Sequence, residues 1–328
     1  MQNPKVECPI KVSVLVPVYG VEKYIERCAR SLFNQTMTDD IEFIFVNDGT
    51  PDNSIGILKN TIRQFPERER NIRIINHDGN KGLAVARVTG VKAARGEYVI
   101  HCDSDDWVEP DMYRLMYESA KANDSDIVVC GYFTEAGERK VIHRPSLLAD
   151  REERASNILR IEKMHQFLWQ RLVRKEYYDK YDFKADPAVT YCEDFVVTVP
   201  MHLFTDKVSV VAEPLYHYNC VNPGSMTQVR DVKRIEAGKL ALDMLEEFIV
   251  KHNHPAVLPA LQYRKFLYYL PLITCLECYD PKRWLELDNP QVNINLMLRS
   301  RVSVWLVRHK LLAVNRLFQL AVRKIFKR

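Results

Sequence analysis

The chain has 328 residues, of which 47% are hydrophobic and 27% are charged. These values are ordinary for a globular protein, and they exclude a disordered chain, a collagen-like repeat and a small disulfide scaffold. The length allows one large domain with an appendage, or two domains.

The charge is unevenly distributed along the chain. No Asp or Glu follows Asp288, and the forty residues after it contain nine Lys or Arg. Because the whole chain has a net charge of +4, the first 288 residues have a net charge of −5. This asymmetry predicts an anionic partner for the C-terminal segment, either a membrane or a nucleic acid, with a solvated helix surface as the alternative.

The apolar stretches and the cysteines of the sequence indicate the cellular compartment in which the protein is found. No stretch near the N-terminus has the pattern of a signal peptide, and no window reaches the ~18 apolar residues of a membrane-spanning helix. The eight cysteines show no disulfide framework. Cys275 and Cys278 form a lone C-x-x-C pair, whereas a tetrahedral zinc site needs a second pair. These features favour a reducing cytoplasm.

Strand-like and helix-like patterns alternate through the first half of the chain. The predicted strands are Val12–Val18, Ile41–Val46, Ile72–Asn76, Tyr98–Cys102 and Ile127–Tyr132. The predicted helices are Lys23–Asn34, Ser54–Phe65, Leu83–Ala94 and Asp111–Ala122. This alternation predicts an α/β fold with a mostly parallel sheet flanked by helices. Beyond residue 135 the pattern is less regular, and helical spacing dominates from Val232 to about Asp280.

Acidic residues follow two of these strands directly. Asp48 comes after the second strand, and Asp103, Asp105 and Asp106 come after the fourth. The carboxyl ends of parallel strands meet at one edge of a sheet, where ligands bind, so these residues are expected to line one crevice. Three adjacent carboxylates repel one another unless a cation lies among them. Mg²⁺ or Mn²⁺ with a bound diphosphate is the natural occupant; the alternative is a solvated acidic turn or a helix cap.

A set of motifs in a fixed order gives the sequence a family resemblance. The motifs are VSVLVPVY at 12–19, EKYI at 22–25, SLFNQT at 31–36, VNDGTPDNS at 46–54, NKGLAVARVTG at 80–90, ARGEY at 94–98 and DSDDW at 103–107. With this ordered set the sequence resembles the family 2 glycosyltransferases. The resemblance is strong over residues 10–135, and it extends more weakly to about 227 through Trp169, Glu193-Asp194 and residues 215–218.

The resemblance implies a GT-A fold for the first part of the chain, and the helical spacing and the charge pattern divide the rest. Residues 1–227 would form the GT-A catalytic domain, 228–289 a helical extension, and 290–328 basic amphipathic helices. The resemblance also implies a metal-dependent, inverting hexosyl transfer from a nucleotide diphosphate donor, and a UDP-sugar is the expected donor. The acceptor would be a saccharide or a lipid-linked saccharide in bacterial surface polysaccharide synthesis.

The resemblance also assigns roles to residues around the donor. Asp48 would bind the base, in a pocket lined by Pro17 and Tyr19, and Asp103 would contact the ribose. The expected donor-binding residues are Pro17, Tyr19, Asp48, Arg87, Asp103 and Ser104. Arg87 is expected either to face the diphosphate or to pair with the acidic cluster. Asp105 and Asp103 would hold Mn²⁺ or Mg²⁺, with His217 as a further candidate ligand or, alternatively, a half-buried strand histidine.

On the acceptor side the resemblance points to Glu193 and Asp194, with Asp194 as the general base. Inverting displacement at an anomeric carbon needs one base opposite the leaving group, and stabilisation of the departing diphosphate. The alternative for the pair is a favourable charge at a helix N-terminus. Trp169 and Trp107 are candidates for stacking on the acceptor sugar, and a packing role suits Trp169 equally well.

The C-terminal segment has its own pattern. Apolar residues at helical spacing are Leu311, Val314, Phe318, Ala321, Val322 and Ile325, and the residues opposite them are Arg316, Gln319, Arg323, Lys324 and Lys327. A basic amphipathic helix of this kind lies in the interface of an anionic membrane. We therefore expect a cytoplasmic protein that is peripheral on the inner face of the cell membrane. The alternatives are docking of the apolar stripe on the protein body or on a second copy in an oligomer.

Two other functions are compatible with parts of the pattern. A nucleotidyltransferase acting on a sugar phosphate also needs a metal and a nucleotide, but residues 17–23 lack the Gly-rich, phosphate-binding loop expected for it. A non-catalytic nucleotide-sugar binding protein would leave Glu193 and Asp194 unexplained. Nucleic acid is not expected as a partner, because the basic segment lacks the interleaved aromatic residues of single-strand binders.

Overall fold

The computed structural model describes residues 9–181, 189–222, 232–289 and 296–326. The strands are β1 (Val12–Val18), β2 (Ile41–Asn47), β3 (Ile72–Asn76), β4 (Tyr98–His101), β5 (Trp107–Val108), β6 (Ile127–Ala136), β7 (Arg139–His143), β8 (Arg171–Arg174) and β9 (Val208–Asn219). The helices are α1 (Ile25–Phe33), α2 (Ser54–Ile62), α3 (Leu83–Ala93), α4 (Met112–Ala122), α5 (Arg151–Arg160), α6 (Lys175–Tyr181), α7 (Glu193–Phe204), α8 (Val232–Lys251), α9 (Leu258–Tyr269), α10 (Pro271–Thr274), α11 (Pro281–Leu287), α12 (Leu298–Arg308) and α13 (Leu312–Phe326). Short 3-10 helices span Pro66–Asn71, Leu168–Gln170, Pro255–Val257 and Leu276–Cys278.

The described strands form one mixed sheet in the order β3-β2-β1-β4-β8-β6-β9-β5, with β7 paired to β6. Strands β1 to β4 are parallel to one another, as the alternation predicts. The sheet then departs from that pattern, because β8 lies antiparallel between β4 and β6. Strand β9 pairs parallel with β6 and antiparallel with β5. The predicted α/β fold is therefore correct, with a mixed second half that the regular strand–helix pattern does not reveal.

Strand β1 runs through the middle of the sheet, and all seven of its residues are buried. Val12, Val14 and Val16 face a core shared with α1 and α4. Leu15 faces the opposite core, which α3, α5 and α7 cover. A continuous apolar run is the sequence pattern of a strand buried on both faces, so β1 has the bounds that its sequence predicts.

The carboxyl ends of β1, β2 and β3 lie at one edge of the sheet. Val18 is in register with Asn47, and Asn47 with Asn76. Strand β4 runs in the same direction and ends at His101, just before Asp103. The loops after β2 and β4 therefore leave from the same edge, as expected.

The helical extension is joined to the catalytic sheet by a common core. Leu242 and Leu245 of α8 and Leu261 of α9 are buried with Leu15 and Ile44 of the sheet. A third core unites α9, α10, α11 and α12 around the buried Trp284. The boundaries near 227 and 289 stay predictions.

In the C-terminal hairpin of α12 and α13, polar side chains of α13 join it to α12 and to the carbonyl of Ile273 on α10. Asn315 donates to the carbonyl of Ile273 at 2.9 Å, and Gln319 donates to the hydroxyl of Ser303 at 2.6 Å. Gln319, expected on the outer polar face, is in fact buried. The described part of the chain contains no helix that combines the length and the apolar character needed to cross a bilayer.

Candidate active site

Asp48 organises the loop that leads into α3. Its carboxylate accepts hydrogen bonds from the backbone amides of Lys81 at 2.9 Å and Gly82 at 2.8 Å, and it lies 2.7 Å from Nδ1 of His77. The side chain is almost fully buried, with the residue 3% exposed. In this arrangement both oxygens of Asp48 bind the protein itself, so its direct contribution is to hold the N-terminus of α3. A contact between Asp48 and a nucleotide base stays a prediction.

Arg87 is carried by α3 and connects the two halves of the predicted site. Its Nη1 donates to Glu193 Oε1 and to Asp194 Oδ1, each at 2.7 Å, and its Nη2 donates to Asp103 Oδ1 at 3.1 Å. The residue is only 6% exposed. The expected pairing of Arg87 with the acidic residues is present, and one guanidinium joins Asp103 to the Glu193-Asp194 pair.

The charges around Arg87 are unbalanced. Burial opposes the charge of Arg87, but Asp194, Asp103 and Glu193 outweigh it and raise the arginine's pKa. Burial raises the pKa of Asp194 to about 7, against the lowering effect of Arg87. The pKa values of Arg87 and Asp194 are both raised, because one positive charge cannot stabilise three ionised carboxylates. Asp194 is therefore a carboxyl group that can take up a proton near neutral pH.

In the acidic turn after β4, Asp106 is buried, whereas Asp103 and Asp105 are more accessible. Asp106 is completely buried, and its carboxylate accepts from Tyr216 Oη at 2.6 Å and from the Asn219 amide at 2.7 Å. Burial, followed by the charges of Asp105 and Asp103, raises the pKa of Asp106 well above its ordinary value. Asp106 therefore anchors the turn to β9, while Asp103 and Asp105 lie nearer the surface.

The predicted metal ligands do not all come together. Asp105 accepts from Asn222 Nδ2 at 2.8 Å, and burial, with the charge of Asp103, raises its pKa. His217 lies instead between Glu135, 2.8 Å from Nδ1, and Glu109, 2.9 Å from Nε2. With both ring nitrogens engaged, His217 is not open to a metal in this arrangement. Within the described residues, no three His, Cys, Asp or Glu side chains form a group that could hold a metal ion by themselves.

The two candidate acceptor tryptophans pack against protein groups. Trp169 is 1% exposed and stacks on Tyr216 at 4.1 Å between ring centroids. Trp107 stacks on His217 at 4.8 Å, and the guanidinium of Arg27 lies 3.6 Å from its ring centroid. Trp169 therefore takes the packing role, and Trp107 has its ring faces occupied. Neither presents a free face to a sugar in this structure.

The remaining predicted donor residues follow β1 and β4. Pro17 and Ser104 are buried, whereas Tyr19 is 48% exposed at the end of β1. The next residue, Gly20, has φ +67°, and its amide donates to Thr50 Oγ1 in the loop after β2 at 2.9 Å. The loops after β1 and β2 are thus tied together, and Tyr19 is exposed next to this contact.

Residues outside the predicted set complete the site. Tyr216 accepts from the Asp103 amide at 3.0 Å while donating to Asp106, and Asn219 Nδ2 donates to the carbonyl of Asp105 at 3.2 Å. The segment 215–218 carries a weak family motif, so Tyr216 has a signal in the sequence. Asn219, Asn222 and His77 have none, because their roles depend on contacts between distant loops.

Comparison with known proteins identifies the family. The model of the family described as Glycosyl transferase family 2 matches residues 13–182, just over half of the chain. EpsJ of Bacillus subtilis strain 168, an uncharacterized glycosyltransferase, is 36% identical over 224 residues, which are 66% of this chain and 63% of EpsJ. This chain therefore spans less than two thirds of EpsJ. EpsH of the same strain, which also bears a glycosyltransferase name, is 34% identical over 248 residues, 74% of this chain and 70% of EpsH.

A solved structure supports the fold. The structure of S. aureus TarS residues 1–349 in complex with UDP-GlcNAc superposes with a TM-score of 0.67 at 18% identity, covering 96% of this chain and 92% of that one. At this identity the likeness bears on the fold alone, and it agrees with the predicted GT-A fold followed by C-terminal helices. The motifs and the matches to the family and to EpsH together lead to one conclusion: the chain belongs to glycosyl transferase family 2.

Proposed function

We propose that the protein transfers a sugar from a UDP-sugar to a hydroxyl of a saccharide or lipid-linked saccharide, with inversion at the anomeric carbon, in surface polysaccharide synthesis. The observation that carries the proposal is the contact of Arg87 with Asp103 on one side and with Glu193 and Asp194 on the other. A donor-side carboxylate and a candidate base thus share one cation. Family membership and the UDP-GlcNAc complex of the structurally similar TarS favour a nucleotide-sugar donor.

In the proposed reaction Asp194 accepts the proton of the acceptor hydroxyl. The hydroxyl oxygen forms a bond to the anomeric carbon, the bond between that carbon and the diphosphate oxygen breaks, and its electron pair leaves with UDP. A base is most effective when its pKa lies near the working pH, and burial raises that of Asp194 to about 7. The Arg87 contact holds the carboxylate in place at 2.7 Å.

Asp103 and Asp105 are suited to a hard divalent cation. Carboxylate oxygens are ligands that Mg²⁺ and Mn²⁺ accept, and Mg²⁺ commonly uses one or two of them together with substrate phosphates and water. Burial and the neighbouring Asp103 disfavour an isolated negative charge on Asp105, and a cation there would relieve this cost. We therefore propose Mn²⁺ or Mg²⁺ held by these two residues, and bound metal would supply charge stabilisation for the departing diphosphate.

We also propose that the protein lies on the inner face of the cell membrane through its C-terminal hairpin. Leu317 is 67% exposed, and Val314, Leu320 and Trp305 are also exposed. The basic residues Arg301, Lys310, Arg316 and Lys324 of the same hairpin are exposed. Exposed apolar and basic side chains on one short segment suit an anionic lipid surface. Because the helix docks through Asn315 and Gln319, the surface offered to lipid differs from the stripe that the sequence pattern suggests.

A thermal-shift panel of nucleotide sugars, each with and without Mn²⁺, tests the donor. A ligand that binds only the folded state raises the free energy of unfolding by about 2.7 kcal/mol at a hundredfold excess over its Kd. We expect one UDP-sugar to raise the Tm more than UDP alone, and to do so more strongly with Mn²⁺. If a sugar phosphate with a nucleoside triphosphate gives the largest shift instead, the nucleotidyltransferase alternative is favoured and glycosyl transfer is contradicted.

A further inference from the structure

The helix that carries the proposed base, Asp194, has no side-chain hydrogen bond capping its N-terminus. Helix α7 begins at Glu193, and the residue before it, Cys192, has a left-handed φ of +64° and makes no side-chain hydrogen bond to the helix. An N-cap side chain ordinarily binds the first free amides of a helix. The direction of the first turn, which carries Glu193 and Asp194, therefore depends on the Arg87 contacts described above and on contacts with the neighbouring residues.

The contacts with the neighbouring residues come from the helical extension and converge on Tyr191. The guanidinium of Arg234, on α8, lies 3.7 Å from the centroid of the Tyr191 ring. Tyr268, on α9, stacks on the same ring at 5.8 Å between centroids, with 29° between the planes. The Tyr268 hydroxyl also donates to the carbonyl of Arg234 at 2.6 Å. We call Tyr191, Arg234 and Tyr268 the Tyr191 clamp.

A glycine makes room for the clamp. Gly238 lies four residues after Arg234 on α8, and a Cβ added there would be 2.2 Å from Tyr268 Oη and 2.3 Å from its Cζ. A glycine within a helix costs about 1 kcal/mol relative to alanine. At this position it allows the ring of Tyr268 to lie directly against α8, in contact with Tyr191.

A second contact holds the first turn of α7 from α9. Arg264, one turn before Tyr268, places its guanidinium 5.3 Å from the ring of Phe195 and donates from Nε to the carbonyl of Leu159. Phe195 directly follows Asp194. The extension thus contacts the chain on both sides of the Glu193-Asp194 pair.

We propose that the Tyr191 clamp is a positioning device for catalysis: the extension, through Tyr191, Arg234 and Tyr268, sets the direction in which Asp194 meets the acceptor hydroxyl. This inference rests on the proposed role of Asp194. It places three positioning residues beyond residues 13–182, the part of the chain that the family match covers. A misplacement of about 1 Å in a catalytic group can cost about a hundredfold in rate.

The test compares clamp variants with a variant that only weakens the extension. Tyr191→Ala and Gly238→Ala are expected to lower kcat about tenfold to a hundredfold while the donor Kd stays within about twofold, since the donor groups lie on other loops. Tyr191→Phe, which keeps the ring, is expected to restore most of the rate. Leu245→Ala, a core change on α8, is the control: it lowers Tm without changing kcat at temperatures where the protein is folded.

A second measurement needs no turnover. Carboxyl ¹³C NMR titration of aspartate-labelled protein, with the Asp194 signal assigned by its loss in Asp194→Asn, is expected to show a displaced titration in Tyr191→Ala and Gly238→Ala but not in Leu245→Ala. The proposal is overturned if the clamp variants leave both kcat and this titration unchanged, or if Leu245→Ala changes them equally. A wild-type protein that consumes no UDP-sugar contradicts the proposed function instead, and the titration still tests the clamp.

Discussion

Arg87 is the side chain on which the electrostatics of the site depend. It is buried and contacts three carboxylates from two distant parts of the chain. Removing one partner from a buried ion pair commonly costs about 3–5 kcal/mol, because the remaining charge is left unpaired. Here the loss would fall on three acidic groups at once, so we expect Arg87 to affect both the stability of the site and the protonation of Asp194, the proposed base.

The raised pKa of Asp194 predicts a pH dependence of the reaction. A base must be unprotonated, so kcat is expected to rise about tenfold per pH unit below pH 7 and to level off above it. A rate profile of the wild-type enzyme from pH 5 to 9 measures this. A flat profile across that range would contradict Asp194 as the base.

Replacing Arg87 is expected to move the same profile. Arg87 lowers the pKa of Asp194 against the effect of burial, so Arg87→Gln should shift the acidic limb to higher pH and reduce the rate at pH 7 by at least about tenfold. Arg114→Gln, at an exposed arginine on α4 with two carboxylate partners, is the matched control and should leave the profile in place. An unshifted limb in Arg87→Gln would show that Arg87 does not set the state of the base.

The raised pKa also has a consequence for stability. The ordinary pKa of an unfolded Asp is about 3.9, so between about pH 4 and 7 the folded protein binds a proton at Asp194 that the unfolded chain lacks. The stabilisation is complete below the unfolded pKa and is lost as the pH rises through about 7. We expect Asp194→Asn to have a higher Tm than the wild type at pH 8 and a smaller difference at pH 5. Calorimetry at the two pH values decides this, and a lower Tm at pH 8 would count against it.

At the scale of elements, the sequence predicts the first half of the sheet closely. Val12–Val18 and Ile72–Asn76 have the predicted bounds. For Val12–Val18 the reason is a continuous apolar run, which marks a buried parallel strand clearly. Strand β8 gives no such signal, since two of its four residues are arginines. It is nevertheless buried because Arg171 donates to the backbone carbonyls of His165 and Phe167. Contacts of this kind depend on the tertiary fold and cannot be read from local pattern.

The sequence motifs single out the residues of the candidate site, but they do not predict the contacts between them. Asp48, Asp103, Asp105 and the Glu193-Asp194 pair stand in recognisable motifs. The meeting of Arg87 with Asp194, 107 positions later, follows from how α3 and α7 pack. The same reasoning explains the candidates that took other roles, His217 and Trp169, since the sequence does not specify which of their ring atoms the strands would cover.

A bulge between β6 and β9 offers a test at the scale of elements. The register shifts at Gly131, where a Cβ would lie 2.8 Å from the carbonyl oxygen of Glu213 and 2.9 Å from that of Ala212. Gly131→Ala should therefore destabilise the protein by about 1–3 kcal/mol and displace β9, which carries Tyr216. Gly79→Ala is the matched control, since nothing lies within 4 Å of its added Cβ. Chemical denaturation measures the free energy of unfolding of both variants. Equal stability of the two would show that the bulge does not require a glycine at position 131.

At the scale of the whole molecule, the C-terminal hairpin concentrates exposed apolar surface on a basic segment. We expect Leu317→Glu with Leu320→Glu to reduce co-flotation with vesicles containing anionic lipid at least about tenfold, because two apolar contacts are lost and two negative charges are added. Neutral vesicles should bind the wild type weakly, and salt should weaken binding to anionic vesicles.

The control for this prediction is Val250→Glu, which places one negative charge at an exposed apolar position on α8, and it should leave flotation unchanged. If the double variant floats as well as the wild type, the hairpin is not the membrane contact. If it instead converts an oligomer into a monomer by light scattering, the exposed leucines belong to an interface between copies.

Donor turnover is the most direct test of transfer from a UDP-sugar with Asp194 as base. Donor turnover by the purified protein with Mn²⁺ is followed by ¹H NMR, with the donor that gives the largest thermal shift and water or a saccharide as acceptor. We predict consumption of the donor, a first product of inverted anomeric configuration, and a rate about 10²- to 10⁴-fold lower in Asp194→Asn at an unchanged donor Kd. A donor that binds but is never consumed would contradict sugar transfer from a UDP-sugar. An Asp194→Asn variant that turns over at the wild-type rate would contradict Asp194 as the base.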